Sequence, residues 1–560
     1  MIDDAWEAMA LQVAALSGDE FAERFEQLDS QVDRDEALRL RWRHDLLGFA
    51  RWCWPDLFSM PWNDFHRAEL AEPLPRWEDR IGSDVRDAVA APRGVAKTTT
   101  AKARVVHALA YGLDPYVVVL SAEQRLALAI SDHLRQMVSD KDSEFARLYG
   151  PVSVEGSSGE WIARWGGRRI SGVLARSFGT QIRGANLRAQ RPTLIVVDDG
   201  ERPDRVRSAD QREIWNRFLA DDVQKSGPRE GGLAILWRGT VLHSDSVLSR
   251  LLANPGWSGG RWKALISWPE RADLWEECRA IWADLTRGDA SARRAAAFEF
   301  YLAHRADMDR GAEVLDEVAE PLFRLYEYIW SDGLASFLRE KQNEPRDPAA
   351  AIFDSASFTR CKVAKRGGRW IIAADGGKRI VELASCRMMI RWDPSLGDPT
   401  SDDAALSLVA ADSHGYGYVV AAWVAKRKPT VQLAALWEMA ERFGVKRGSL
   451  EGNGFQRLIG NDFRRQRAER KAALDRYWQL ELDEDPSTTN KLERIGGLEP
   501  AITNGWLQFA DDLPQAFLLQ WDDFPDTSGG HDLDGPDATE GAYARVGAAP
   551  RGSHETRRIR

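Results

Sequence analysis

A chain of 560 residues exceeds what one hydrophobic core usually organises, so two or more domains are expected. Its composition, 44% hydrophobic and 29% charged, supplies enough apolar side chain for substantial cores and excludes global disorder. Lys and Arg total 76 against 86 Asp and Glu, a net charge of −10, which excludes a histone-like protein that holds nucleic acid by overall charge; any DNA contact has to be local.

The N-terminal MIDDAWEAMA lacks the basic, apolar, small-residue order of a secretion signal, and no run of about 18 apolar residues follows anywhere, so neither secretion nor a membrane span is expected. Residues 1–80 read as a helical lead-in, with Leu46, Leu47, Phe49 and Trp52 at helical spacing before the break at Pro55. From 81 to 270 short apolar runs alternate with amphipathic stretches: Ala88–Ala91, Thr98–Tyr111, Val117–Leu120, Glu123–Val138, then Leu194–Val197 and Ala234–Trp237. Strand, helix, strand, helix predicts an α/β domain with a mostly parallel sheet. Residues 271–350, rich in Ala, Arg, Glu and Leu with few breakers, read as a helical connector. A second α/β domain is expected at 351–545. MMIRW, ALSLVAA and YVVAAWVA are successive apolar runs at hairpin-like separations, followed by a helix from Thr430 to Phe443 and the short strand GSLEG; this order is compatible with an RNase H-like domain. The polar, basic tail 546–560 is expected to be disordered. Cys53, Cys278, Cys361 and Cys386 contain no CxxC pair, so neither a disulfide framework nor a zinc module is expected, and a reducing cytosol fits. Most of the 23 Trp residues are expected in cores, with a minority left to stack on bases.

Two groups of residues carry chemistry. Ala91-Pro92-Arg93-Gly94-Val95-Ala96-Lys97-Thr98 fits GxxxxGK[ST] except that alanine replaces both fixed glycines. Because the segment runs from a strand into a helix, its amides and the helix N-terminus can cradle the phosphates of ATP, Lys97 can reach the β/γ oxygens, and Thr98 can hold Mg²⁺. Leu194 to Asp199 is an apolar strand ending in two carboxylates, Asp198 suited to bind Mg²⁺ and Asp199 to polarise water; Glu201, two residues on, competes with Asp199 for that second role. The other group answers a different need. Metal-dependent phosphodiester cleavage brings carboxylates onto two divalent ions about 4 Å apart. Asp393 follows MMIRW, Glu451 ends the strand in GSLEG, and Asp534 and Asp537 open the expected last helix, the three places where an RNase H-like nuclease gathers acids for two Mg²⁺ or Mn²⁺ ions.

These residues resemble the large terminase subunits of tailed bacteriophages, and the likeness covers most of the chain. APRGVAKTT is similar to the family's variant P-loop of an ASCE-type NTPase, which implies for Arg93 the role of a cis-acting arginine. Gly179 to Glu201 resembles the stretch leading into the second ATPase motif, Gly239-Thr240 the coupling motif, and FLREKQNEP, from Phe337 to Pro345, the junction between the ATPase and nuclease halves. DPSxG at Asp393 and ExNGF at Glu451 look like the nuclease motifs. The third motif departs by one inserted residue, His531-Asp532-Leu533-Asp534-Gly535-Pro536-Asp537-Ala538, which favours Asp534 with Asp537 close behind and leaves Asp403 and His531 as lesser candidates.

For DNA contact, the run from Arg464 to Arg476, with Arg464 and Arg465 foremost, can track phosphates, or be a solvated helix with i,i+4 pairs such as Arg465 and Glu469. Lys491 and Arg494 resemble a stretch beside the family's nuclease groove. The resemblance thus implies an ATPase that drives double-stranded DNA into a prohead and an endonuclease that cuts concatemers. Its implied partners are the portal protein, a small terminase subunit and further copies in a ring, in the host cytoplasm and transiently on the prohead. A helicase-nuclease of DNA repair should carry further helicase motifs after the coupling element. A prophage remnant binding DNA or portal with a defective nuclease is the other alternative, which the altered third motif keeps open.

Overall fold

The computed structural model describes residues 4–150, 152–166, 169–206, 208–345, 352–397, 402–451, 456–473, 480–485, 490–524 and 533–548; for residues 4, 204, 451, 456–460, 472, 473 and 485 the main chain alone is described. Two compact units divide the chain.

The first unit holds residues 1–266, 313–321 and 338–346. Its sheet of eight strands runs in the order Val152–Ser157, Glu160–Trp165, Arg169–Ser177, Tyr116–Ser121, Leu194–Asp198, Ala234–Gly239, Val85–Ala90, Ser258–Arg261. The last six are parallel, and the first two fold back antiparallel at one edge. Strand Ala234–Gly239 lies between the strand that feeds the phosphate-loop segment and the one that ends at Asp198, the inserted strand of an ASCE-type sheet. The central strands are buried on both faces, which is why they read as continuous apolar runs. Val117, Val119, Val196 and Leu236 pack against Ala101, Val105 and Leu109 of the Lys97–Tyr111 helix, while Ala88, Ile195, Val197 and Trp237 face Phe178, Trp215 and Phe218. The N-terminal helices join this core through Phe49, whose ring meets His107 edge-on at 5.0 Å.

The second unit holds residues 267–312, 322–337 and 347–560. Nine strands run in the order Arg379–Glu382, Arg369–Ala374, Arg360–Arg366, Leu507–Ala510, Gly417–Ala425, Ala404–Ala411, Arg387–Asp393, Arg447–Glu451, Glu481–Asp485. The middle of this sheet is an antiparallel meander, Arg387–Asp393 to Ala404–Ala411 to Gly417–Ala425, followed by the Pro429–Phe443 helix and by Arg447–Glu451 set parallel to the first strand: an RNase H-like order. All eight residues of Ala404–Ala411 are buried. The Asp534–Val546 helix packs against it, and Gly541 permits the approach, since a Cβ there would lie 2.9 Å from Arg391 Nε. Beyond the expected strands, the sheet extends through Arg360–Glu382 and Leu507–Ala510.

The expected connector is helical, Ala272–Ala283, Ala290–Met308 and Leu322–Asp332 among its helices, but it is divided between the units: all three pack within the second, and 313–321 with 338–346 return to the first. The reason is apolar and aromatic surface. Trp282 stacks on Trp506, Trp506 Nε1 donates to Ala283 O at 2.7 Å, and Arg279 donates to Thr503 O at 2.7 Å. All four cysteines are buried thiols, and Trp161, Trp237, Trp392, Trp437 and Trp521 are among the largest fully buried side chains. Among the described residues no helix is long and apolar enough to cross a membrane. Of the tail, residues 549–560 lie outside the described residues.

Leu406, fully buried in the middle of the meander, should cost the second unit about 3 kcal/mol when replaced by Ala, transfer and cavity terms combined. Thermal unfolding followed by tryptophan fluorescence should show a lowered midpoint for Leu406→Ala, and an unchanged midpoint would contradict the meander core.

Candidate functional sites

In the first unit three strand ends converge. Ala90 is in register with Gly239, and Asp198 with Arg238 and Ser121, so the phosphate-loop segment, the Asp198-Asp199 pair and Gly239-Thr240 leave the same edge of adjacent parallel strands. Gly94 takes φ +97° and Ala96 φ +64°, a left-handed residue that starts the Lys97–Tyr111 helix without a side-chain cap. Alanine in that conformation costs about 1–2 kcal/mol, so the backbone shape of the glycine motif is kept at an energetic cost. Lys97, 6% exposed, points back across the loop and donates to Ala91 O at 2.9 Å, Pro92 O at 3.0 Å and Thr240 Oγ1 at 3.0 Å. Burial lowers the pKa of its ammonium, opposed by the charges of Asp199 and Asp198. Thr98 Oγ1 lies 3.0 and 2.8 Å from the two oxygens of Asp198. Burial and then the charge of Asp199 push Asp198 up to about 7. A hydroxyl and a buried carboxylate in contact form the oxygen-donor set that suits Mg²⁺.

The two acids beyond Asp198 are placed differently. Asp199 is exposed, in the left-handed region at φ +43°. Glu201 is buried, and its two oxygens accept the N–H groups of Val247 at 2.8 Å and Leu248 at 3.1 Å. Burial outweighs those donors and pushes Glu201 up to about 7.

Arg93 leaves its side chain 52% exposed, its Nε 3.0 Å from Glu340 Oε2. The chain around it is pinned too: Arg93 N–H donates to Glu340 O at 2.8 Å, and Lys341 Nζ donates to Arg93 O at 2.7 Å. Two residues on, buried Asn343 accepts the N–H of Val241 at 2.9 Å, next to Thr240, and donates to Trp262 O at 2.9 Å. Sequence reasoning read this segment only as a junction and missed Glu340 and Asn343. It also missed His66, whose Nδ1 lies 3.2 Å from the Asn63 N–H and whose Nε2 lies 2.9 Å from Val95 O, inside the loop. That network fits a neutral ring donating from Nε2, and burial lowers its pKa. Nothing local in the sequence ties these residues to the loop and to Val241, because those partners lie about thirty to 250 positions away, although Asn63 and His66 are only three apart.

In the second unit the acids meet two cations. Asp393 ends the first meander strand, and Trp392 pairs with Leu450, so the main chain of Glu451 follows alongside; the Glu451 side chain and His531 lie outside the described residues. Asp534 and Asp537 sit in the first turn of the Asp534–Val546 helix, both buried. Lys491 and Arg494, on the Lys491–Gly496 helix, reach across to them. Lys491 Nζ donates to Asp534 Oδ1 at 2.5 Å and lies 3.9 Å from Asp393 Oδ2. Arg494 binds Asp537 at 2.9 and 3.1 Å and Glu540 at 3.3 Å. Glu540 was missed, although it stands one helical turn from Asp537. Burial disfavours the Lys491 ammonium, but the carboxylates of Asp534 and Asp393 more than compensate and raise its pKa. Among the described residues no group of three or more His, Cys, Asp or Glu is arranged to hold a metal ion. Asp403 accepts from Gln520 at 3.1 Å.

The expected DNA contacts are engaged within the chain. Lys491 and Arg494 face the acids just described, Arg464 pairs with Glu484 at 3.0 Å, and Arg465 with Asp462 at 2.9 Å and Glu469 at 4.0 Å. The surface pairs of Arg464 and Arg465 are worth at most about 1 kcal/mol each, so phosphate can compete for those arginines.

Fold and sites together define a mostly parallel α/β unit with a nucleotide-pocket geometry, followed in the same chain by an RNase H-like unit with clustered acids. No protein-family model matches the sequence, and comparison with characterised proteins finds no match. Among solved structures the chain is similar to the large terminase of a thermophilic bacteriophage, at 8% identity over 83% of this chain and 91% of that one, with a TM-score of 0.41. It is also similar to the ATPase domain of a Thermus phage large terminase, at 13% identity over 44% of this chain and 100% of that one, TM-score 0.25, and to the human cytomegalovirus terminase nuclease domain, at 10% over 28% and 81%, TM-score 0.21. At scores of this size the functional reading rests on the residues and distances above.

Glu201 yields a pH prediction. Folded, it keeps its proton up to about pH 7 against an ordinary 4.5, so its contribution to stability is full below about 4.5 and is lost as pH rises through 7. Unfolding midpoints of wild type and Glu201→Gln should diverge between pH 5 and 8, wild type losing up to about 3 kcal/mol relative to the variant. Parallel profiles would show that burial does not perturb this group.

Proposed function

We propose that the chain is the large subunit of a viral DNA-packaging terminase, a motor that hydrolyses ATP to move double-stranded DNA into a prohead and a nuclease that cuts the concatemer. The observation that carries the reading is the pairing, in one chain, of a buried P-loop lysine and a Thr98–Asp198 contact in one unit with Asp393, Asp534 and Asp537 in an RNase H-like unit. In the first unit Lys97 exchanges its bonds to Ala91 O, Pro92 O and Thr240 Oγ1 for phosphate oxygens, where its charge is needed as negative charge develops on the transferred group. Because Thr240 is one of the partners it leaves, nucleotide arrival is felt directly at the coupling element. Asp199 is the acid for the attacking water, since Glu201 is committed to the Val247 and Leu248 amides. Arg93, exposed at the loop, is the candidate for the γ-phosphate.

Thr98 and Asp198 would hold Mg²⁺, which supplies charge neutralisation to the phosphates. Asp393, Glu451 and Asp534 would hold Mg²⁺ or Mn²⁺ for cleavage, which supplies a nucleophilic water at neutral pH. Portal, small subunit, a ring of copies and a host-cytoplasmic site docking on the prohead belong to this reading.

The residues proposed for each activity belong to one unit, so the activities should separate. Lys97→Ala should abolish DNA-stimulated ATP hydrolysis and leave plasmid digestion, whereas Asp393→Ala should abolish digestion and leave ATPase turnover within about twofold. Undiminished digestion by Asp393→Ala would sink the nuclease half, and wild-type ATPase in Lys97→Ala would sink the motor. Arg93→Lys keeps charge but loses the planar fork; turnover should fall about tenfold or more with nucleotide affinity retained, and the reverse outcome would remove Arg93 from the chemical step.

A further inference from the structure

The acids of the second unit are held by two cations in different ways. Arg494, with 14% of its side chain exposed, faces both oxygens of Asp537 and one of Glu540, a forked arrangement that fixes carboxylates in a set geometry. Lys491, one helical turn earlier and 37% exposed, offers a single point charge on a flexible stem, set between Asp534 Oδ1 and Asp393 Oδ2. The ammonium therefore occupies the meeting point of two carboxylates from different elements, a strand end and a helix N-terminus. It is a stand-in cation, and it shows that the donors there accept positive charge.

Resting on the nuclease reading above, we propose that Lys491 is a displaceable counter-ion: it holds Asp393 and Asp534 together before divalent ions arrive, leaves when they bind, and is then captured by a DNA phosphate. The pair Asp537–Glu540, clamped by Arg494, is by contrast structural, which makes Asp534 the third metal ligand. Divalent ions and an ammonium cannot share the same carboxylate oxygens without repulsion, so Lys491 must weaken metal binding while it stays. Once displaced, it is left with Asp537, which Arg494 already holds, and with the phosphates of a bound duplex. Metal and DNA should then favour each other, because each rewards the same movement, and the coupling is reciprocal.

The experiment is calorimetric titration of the full chain with Mn²⁺, without nucleotide, with and without an uncleavable phosphorothioate duplex. The component lost in Asp393→Ala identifies the nuclease site. In Lys491→Met that component should tighten about tenfold or more, and the tightening produced by duplex in wild type should vanish, while plasmid cleavage at saturating Mn²⁺ slows at least tenfold. A brace that merely shaped the site would weaken Mn²⁺ binding on removal instead. Unchanged or weakened affinity in Lys491→Met overturns the proposal and leaves the acid cluster intact as a nuclease site; absence of any component lost in Asp393→Ala overturns the nuclease reading itself. Lys491→Gln provides the same comparison should the Met variant fail to fold, judged by its unfolding midpoint, and Lys491→Arg should retain the wild-type duplex effect.

Discussion

Taking an ammonium or a carboxylate out of water costs several kcal/mol per ion unless a partner lies within reach, and both units of this chain bury such groups repeatedly. Arg238 is fully enclosed because Glu69 and Asp87 meet it at 2.5 and 2.6 Å. Lys97 is buried against carbonyls and a hydroxyl, with Asp198 and Asp199 opposing the loss of its proton. Asp534 and Asp537 are buried because Lys491 and Arg494 come to them. Removing one member of such a set strands the others, a cost of about 3–5 kcal/mol where the pair is fully buried. Bound phosphate or metal avoids that cost because it replaces one partner with another. Sites of this kind are stable when empty and still exchangeable, provided the partner that leaves has somewhere to go.

That proviso distinguishes the groups to which the proposed function gives an active part from those that hold the structure. Lys97 has hydrogen-bonding partners at the loop mouth and a flexible stem, so it can turn from carbonyls to phosphate. Glu201 has none of that freedom: two amides fix it, and moving it would leave them without their acceptor in a buried place. Asp199, exposed beside the buried Asp198, bears no such burden. The proposed contrast between Lys491 and Arg494 is of the same kind: one amine on a half-buried, flexible stem against a forked guanidinium bound to two carboxylates.

What the sequence made legible follows from burial. Strands covered on both faces appear as unbroken apolar runs, so Leu194–Val197, Ala234–Trp237 and the three runs of the meander were visible, and with them the carboxylates at their ends. The Val152–Trp165 hairpin escaped because its second strand buries only alternate residues: Trp161, Ala163 and Trp165 turn inward between an exposed Glu160 and the half-buried Ile162 and Arg164. The Arg360–Glu382 strands were not read either; most of their residues are half-buried or exposed. Within the sites, motif residues in one stretch could be read, whereas His66, Glu340 and Asn343 act on the loop from distant parts of the chain. Glu540 did have a signal, its three-residue spacing from Asp537 on a helix. For Lys491 the resemblance pointed to the neighbourhood of the nuclease groove but to phosphate as its partner; that it pairs with Asp534 could not be read, because helix and acids meet only in the fold.

The segment from Glu340 to Asn343 lies in the last stretch of the first unit, 338–346, before the chain departs for the second. Glu340 receives Arg93 through both main chain and side chain, Lys341 donates back to Arg93 O, and Asn343 accepts from the residue after Thr240. Arg93 and the residue after Thr240, the two positions that the proposed function makes responsive to nucleotide, are therefore bonded to the same four residues. In the proposed motor, an arginine turning toward phosphate would give up Glu340, and Lys97 leaving Thr240 would free the residue next to the Val241 N–H that Asn343 accepts. Either change reaches this segment through bonds of 2.8 to 3.0 Å rather than through diffuse packing, and Gln342, bonded to both the N–H and the carbonyl of Leu265, resists its sliding along the sheet edge. Under the proposed motor function, a segment bonded at each of its four residues is suited to pass a change at the loop arginine or at Thr240 along the chain as a body.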